Sequence, residues 1–358
     1  MKAFTRLLGQ VLLGFFINFT AAYSATHGTG LSTAIAIDSV GTFKATKDDR
    51  ATDDFDIREA ELSMYAPIDY LFDGNLSLAA HKERGVFVFE LHEAAISSNK
   101  LIPRTSFKLG KFFLGIGRLN RFHRHDWPFV SAPKVFSEYF GAEGVIDSGG
   151  ELSYLLPTSF YLNVNMGVTN GWVYGHSHNE GKKPKTPTHY ARVSSFFELH
   201  HDLGIALGIN YLDRIDADET RMQLSGVDGV AKLSNSSFTK ILIQGEAWHR
   251  RISPKDRDSD TSAGAYLYSQ RAFSKSFAAG LRVDYYSVLS LKNVNGKSVR
   301  NSEQAFVPTI IYKSSEFATF KLGFTFNLSA QENKDDEINK YFEGQITYIM
   351  GAHPAHDF

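Results

Sequence analysis

The sequence predicts an all-β fold: one transmembrane antiparallel β-barrel of about 16 strands. Three observations predict it. Apolar and polar residues alternate with period two along most of the chain from residue 33, and short connections alternate with long polar ones. After the N-terminus, no run approaches the roughly 18 consecutive apolar residues of a spanning helix.

Residues 1–24 read as a secretory signal peptide. Lys2 and Arg6 supply the basic start, LLGQVLLGFFINF (7–19) is a short apolar core, and Ala22 and Ser24 fit small-x-small cleavage before Ala25. The alternative, a retained anchor, meets a segment too short for a comfortable span. Residues 25–358 then form the barrel, with 36 basic and 39 acidic side chains and a net charge of −3.

The strands follow in order as alternating runs at 33–45, 54–67, 74–81, 86–96, 104–115, 143–156, 159–169, 188–199, 202–213, 221–234, 237–252, 261–272, 276–289, 302–314, 317–329 and 338–351. In FATFKLGFTFNLS (317–329), Ala318, Phe320, Leu322, Phe324, Phe326 and Leu328 share one face, opposite Thr319, Lys321, Gly323, Thr325 and Asn327. A strand with lipid on one side and a wet lumen on the other needs that division. FYLNVNMGVT (160–169) and LRVDYY (281–286) repeat it, and nothing comparable has helical period.

The connections PTS (157–159), HH (200–201), NSS (235–237), SKS (274–276) and SSE (314–316) are tight. Between them come long polar segments such as 46–53, 117–142, 170–187, 213–220, 253–260, 290–301 and 330–337. Short turns on one side and long loops on the other are the layout of an outer-membrane barrel, and an even strand count returns both ends to the periplasm. DYLFDG (69–74) and KERG (82–85) blur the pattern without changing its parity. A sandwich or propeller is the soluble alternative, but sandwiches rarely hold so many long strands.

Composition agrees with a membrane site. The 29 Phe, 16 Tyr and 3 Trp bring aromatics to 13%, and Tyr154, Phe160, Tyr211, Tyr312, Phe317 and Tyr348 fall at strand ends, where an interfacial girdle would lie. The terminal Phe358 shares parity with Phe342, Ile346, Tyr348 and Met350, although Pro354 and His356 break the apolar pattern before it. Balanced charge, 38 Lys+Arg against 39 Asp+Glu, argues against a nucleic-acid partner. With no cysteine, thiolate metal sites, iron–sulfur clusters and cysteine nucleophiles are excluded.

The longest insertion, 117–142, is the third long loop and net basic. Arg118, Arg121, His123, Arg124, His125 and Lys134 are the candidate constriction, against Asp126 and Glu138. Cations at a narrow point lower the barrier for anions. The competing reading ties these arginines to acidic wall residues such as Glu59, Glu61, Glu90 or Glu151. By strand parity Lys108, Glu151, Arg192, Glu246, Arg282, Asp284 and Lys321 point into the lumen, together with Glu59, Glu61, Glu198 and Glu343.

Histidines pair at His123/His125, His176/His178, His200/His201 and His353/His356. His123, His125, His176 and His178 are the candidates for a metal, but zinc or copper needs three or four converging ligands and solvated loop histidine is the simpler state. No resident cofactor is expected. There is no nucleophile elbow, phosphate-cradling glycine loop or HExxH, so an enzyme is not expected.

IREAELSMYAPID (57–69), KLGKFFLGIGRLNRFHRHDWPFV (108–130), SEFATFKLGF (315–324) and the GAHPAH ending make nearly all of the chain after residue 24 resemble porin-like outer-membrane proteins of Gram-negative bacteria, similar to the phosphate-selective porin type. The resemblance implies a third loop folded into the barrel, a location in the outer membrane among its lipids, and, by analogy, a homotrimer. Some relatives are linked to zinc regulation or labelled TonB-dependent receptors. A true receptor of that kind needs 22 strands and a plug, more than about 334 residues supply. The expected function is passive passage of small hydrophilic, anionic solutes; the rival is a zinc-linked metal-binding or metal-uptake component using loop histidines.

Overall fold

In a computed structural model of the chain, the described residues are 30–44, 53–83, 86–141, 143–171, 183–235, 238–256, 258–292, 298–331 and 336–351. Residues 1–24, expected to be a signal peptide, and His176, His178, His353, His356 and Phe358 lie outside them.

Sixteen strands form one closed antiparallel barrel, each paired with its sequence neighbours and the last returning to the first. They are β1 (Ser32–Lys44), β2 (Asp54–Pro67), β3 (Asp73–Glu83), β4 (Val86–Ser98), β5 (Thr105–Phe113), β6 (Ile146–Leu155), β7 (Tyr161–Thr169) and β8 (Thr188–His200). The second half holds β9 (Leu203–Ile215), β10 (Arg221–Ser234), β11 (Thr239–Ser253), β12 (Asp260–Ala272), β13 (Phe277–Lys292), β14 (Ser298–Lys313), β15 (Ala318–Gln331) and β16 (Glu337–Gly351). Every predicted run is a strand. Among the described residues no helix is long and apolar enough to cross a membrane.

Two boundaries differ from the sequence reading for physical reasons. The β13–β14 ladder continues through Leu291↔Val299 and Lys292↔Ser298, so hydrogen bonding outlasts the lipid-facing pattern. At 143–145 the chain belongs to the loop: the Val145 N–H donates to Asn120 Oδ1 at 2.6 Å, and its carbonyl accepts from Leu114 N at 3.1 Å. The loop also holds a helix that period-two reading does not contain, α1 (Lys134–Phe140). Seven residues make only two turns. Their periodicity shows once the loop is in place, with Val135, Phe136, Tyr139 and Phe140 buried together.

Alternation fixes which face is which. Leu322 is 64% exposed and Ile209 65%, while Lys321 is 5% exposed. Tyr154, Phe160, Tyr211, Tyr312, Phe317 and Tyr348 are all exposed. An apolar exterior on a closed barrel, with no free edge, is the arrangement that hydrocarbon tolerates.

β1 and β16 close the barrel through eleven residue pairs, from Ala34↔Gly351 to Lys44↔Tyr341. On the inner face Asp38 joins three strands. It accepts from Gln345 Nε2 at 2.8 Å and Thr347 Oγ1 at 3.1 Å on β16, and from Arg58 Nε at 2.7 Å on β2.

Leu322→Arg puts a charge into the apolar belt and should destabilise the barrel by about 2–4 kcal/mol. Thr319→Arg, on the opposite face, should cost far less. Denaturant unfolding in lipid vesicles checks this, and equal costs would contradict the assignment of faces.

Candidate functional site: the inward loop and the inner wall

The segment between β5 and β6, residues 114–145, lies against the polar inner face. Its apolar residues Leu114, Ile116, Leu119, Trp127, Phe129, Val135, Phe136, Tyr139, Phe140 and Val145 pack on inward-facing Tyr190, Leu212, Leu224, Trp248, Tyr266, Tyr268 and Tyr286. These wall residues belong to β8–β13, so this side of the lumen carries an apolar core. Each large side chain so buried is worth about 1.5–3 kcal/mol, which explains why an aromatic-rich loop enters the barrel instead of extending into water. The wall makes room for it: a Cβ on Gly264 of β12 would stand 2.8 Å from Val135. Gly117, at φ +65°, turns the loop where a Cβ would meet Glu246 Oε2 at 2.7 Å.

Backbone groups of the loop must find partners once inside, and the wall supplies them by charge type. Carboxylates and amides take the loop's N–H groups: Gly115 donates to Glu151 at 3.0 Å, Gly117 to Asn210 Oδ1 at 2.8 Å and Leu119 to Glu246 at 2.8 Å. Donors take its carbonyls: Lys321 Nζ donates to His125 and Trp127, Tyr268 to Pro128, Arg58 to Val130 and Arg282 to Ser131. Wall pairs hold the holders. Asp228 binds Arg192 at 2.7 Å and accepts from Asn210 Nδ2 at 2.7 Å, and Asp284 faces Arg282 Nε at 3.0 Å.

The residues picked out by sequence therefore separate into groups. Arg118 is buried, donates to Gln244 Oε1 at 3.1 Å and faces the short-turn side of the loop. Arg121 sits half-buried over Phe122, its guanidinium 5.8 Å from the ring centroid. Arg124 is also half-buried. His123 turns to β2 and β4, with Nδ1 2.8 Å from Glu61 and Nε2 3.6 Å from Glu93. His125 stacks on His123 at 5.6 Å and has Nε2 3.4 Å from Asp126. Lys134 lies at α1, paired with Glu138 and Glu303 at 3.0 Å each, and is not gathered with the arginines. Lys108 pairs across the ladder with Glu151 and rests over Phe112 at 5.4 Å. Glu246 also accepts from Trp248 Nε1 at 2.9 Å.

Burial lowers the Arg118 guanidinium and, helped by Arg58, brings Arg124 down to about 10, so both stay charged at neutral pH. Burial alone would lower His123, but Glu61 and Glu93 overrule it and raise the imidazole well above its usual value. His125 is lowered by burial, against the pull of Asp126.

Between the loop and the short turns lies a cavity of about 540 Å³. Its charged lining is Arg118, Lys232, Lys275, Lys313 and Lys321 against Asp126 and Glu316, with His125 beside them. Sequence reasoning missed Lys232 and Lys313, Asp38, Asn210 and Asp228 as inward groups. Strand parity would have found them.

No family model matches the chain. An uncharacterized protein of Aquifex aeolicus (strain VF5) is 28% identical over 336 residues, covering 85% of this chain and 70% of the relative. Among solved structures, an anion-selective porin from Comamonas acidovorans superposes with a TM-score of 0.60 at 8% identity, covering 90% of this chain and 100% of the porin. The outer membrane channel DcaP of Acinetobacter baumannii gives 0.59 at 8% identity, with coverages of 89% and 96%. OmpF of Salmonella typhi gives 0.56 at 10% identity, with coverages of 90% and 98%. None of these comparisons extends to the phosphate-selective type. At such identities the likeness concerns architecture, and the architecture of this chain is that of the outer-membrane porins.

Proposed function

We propose that the protein is a porin of the Gram-negative outer membrane that passes small hydrophilic solutes and favours anions. The observation that carries the reading is the cavity below the inward loop, where five Lys and Arg side chains face two carboxylates. A solute leaving the loop toward the short turns meets a local excess of positive charge, although the chain after residue 24 is net negative. Screening over about 8–10 Å at physiological salt mutes the distant acidic loops, while groups lining the cavity act at contact range. Arg118, at the loop edge of the cavity, has a forked donor set suited to carboxylate or phosphate oxygens. The closed barrel with a polar interior is a scaffold suited to passage.

Two features of similar structures support the finer points. One neighbour is described as an anion-selective porin, and another, OmpT of Vibrio cholerae, is described in a trimer form. A homotrimer embedded in outer-membrane lipid is accordingly the proposed assembly. Uptake of metal through the loop's histidine pairs draws less support, because His125 is turned to Asp126 while His123 is turned away to the wall carboxylates Glu61 and Glu93, and His176 and His178 lie outside the described residues.

In planar bilayers under a salt gradient, the wild-type pore should show an anion-selective reversal potential. Lys232→Gln, Lys275→Gln and Lys313→Gln combined should shift it toward cations, since these lysines line the cavity. An unchanged potential in a conducting triple variant would show that the cavity does not set selectivity.

Glu246→Ala removes the acceptor of the Leu119 N–H and of Trp248 Nε1, leaving buried donors at a cost of about 1–3 kcal/mol each. Single-channel records should become noisier and the mean conductance should rise as the loop loosens. Glu246→Gln, which keeps one accepting oxygen but turns an amide NH2 toward either the Leu119 N–H or Trp248 Nε1, should fall between wild type and Glu246→Ala.

A further inference from the structure

Opposite the apolar core, the loop meets a second, ionic constellation on β2–β4. Glu59 and Glu61 project from β2, His92 from β4 and His123 from the loop, and one donor atom of each lies within 4.8 Å of the others. All but His123 are fully buried. Glu61 Oε2 stands 2.8 Å from His123 Nδ1 and 4.0 Å from His92 Nδ1. Glu59 Oε1 is buried with no hydrogen-bond partner among the described residues.

The surroundings of the two imidazoles carry the argument further. His92 turns its other nitrogen, Nε2, toward Glu143 at 3.7 Å, and His123 turns its Nε2 toward Glu93 at 3.6 Å. A carboxylate behind each ring, with the opposite nitrogen directed to a shared point, is the arrangement that orients metal-ligating histidines. Phe113 packs edge-on against both rings, with centroids at 6.3 Å from His92 and 4.9 Å from His123, and so limits their rotation.

We propose that Glu59, Glu61, His92 and His123 bind one divalent first-row transition-metal cation of the zinc type, stapling the inward loop to β2 and β4. A tetrahedral zinc site with bonds of about 2.0–2.2 Å has its donors about 3.3 Å apart. The observed spacings of 2.8 and 4.0 Å from Glu61 to the two imidazoles bracket that value. A nitrogen and oxygen donor set with no thiolate suits zinc or its neighbours better than copper(I) and is too rich in imidazole for magnesium or calcium. Ligands from two strands and the loop make the cation a structural staple of this wall, separate from the cationic cavity on the other side of the loop.

The test uses the full-length, tag-free barrel in detergent, stripped with EDTA and titrated with zinc chloride, with bound metal measured after dialysis. The expected result is one zinc per chain, lost in His92→Ala/His123→Ala and weakened about tenfold or more in Glu143→Gln. His200→Ala/His201→Ala, which removes an exposed pair elsewhere, should keep the full stoichiometry. X-ray absorption at the zinc edge should show a first shell of nitrogen and oxygen with two imidazoles. That spectrum is read on the wild-type chain and so does not depend on any variant assembling. Absence of stoichiometric zinc, a spectrum without imidazole, or loss of zinc in the His200/His201 variant would overturn the proposal. None of these readouts uses conductance, so they stand apart from the porin reading.

Discussion

In hydrocarbon every backbone N–H and C=O must be handed to a neighbour, and a sheet can do this only by closing on itself. The β1–β16 ladder meets that requirement here. Once it is met, side-chain direction is no longer free: one residue looks to lipid and the next to the lumen around the whole circumference. Polar groups excluded from lipid therefore accumulate inside, where a loop that enters the barrel finds acceptors for its N–H groups and donors for its carbonyls.

The interior that results is divided. On β8–β13 an apolar, aromatic-rich cluster holds the loop by burial beside ionic groups such as Arg192, Asp228 and Glu246, whereas on β2–β4 the loop meets carboxylates and imidazoles. The ionic holders work because each is itself held. Asn210 receives the loop's Gly117 N–H and donates to Asp228, which in turn binds Arg192. A charge in such a chain costs little to bury and gives geometry in return.

Most of the barrel was legible in the sequence, because period-two alternation and connection length are local signals and the lipid face of a strand is largely apolar. The inward charges of Arg192, Glu246, Arg282 and Lys321 were legible for the same reason. What these charges do was not legible. Their partners are loop carbonyls and amides more than a hundred residues distant for Glu246, Arg282 and Lys321, and no local pattern encodes such pairing. Likewise, His123 read as one of a loop pair with His125, while its partners Glu61 and Glu93 stand on two strands of the wall. The short α1 escaped because two helical turns leave no periodic trace beside long strands.

The middle of the chain is fastened to both of its ends. Arg58 on β2 donates to Val130, Lys321 on β15 donates to Trp127, and Ser131 donates to Glu343 on β16 at 2.9 Å, so one loop grips the strands on either side of the closing seam. The first and last strands are far apart in sequence, and bringing them together carries a loop-closure entropy that local hairpins do not face. A docked loop lowers that barrier by presenting one surface to which both edges adhere. Closure of the cylinder and seating of the loop are thereby coupled in the folded protein, since the contacts that hold the loop also hold the strands on both sides of the seam.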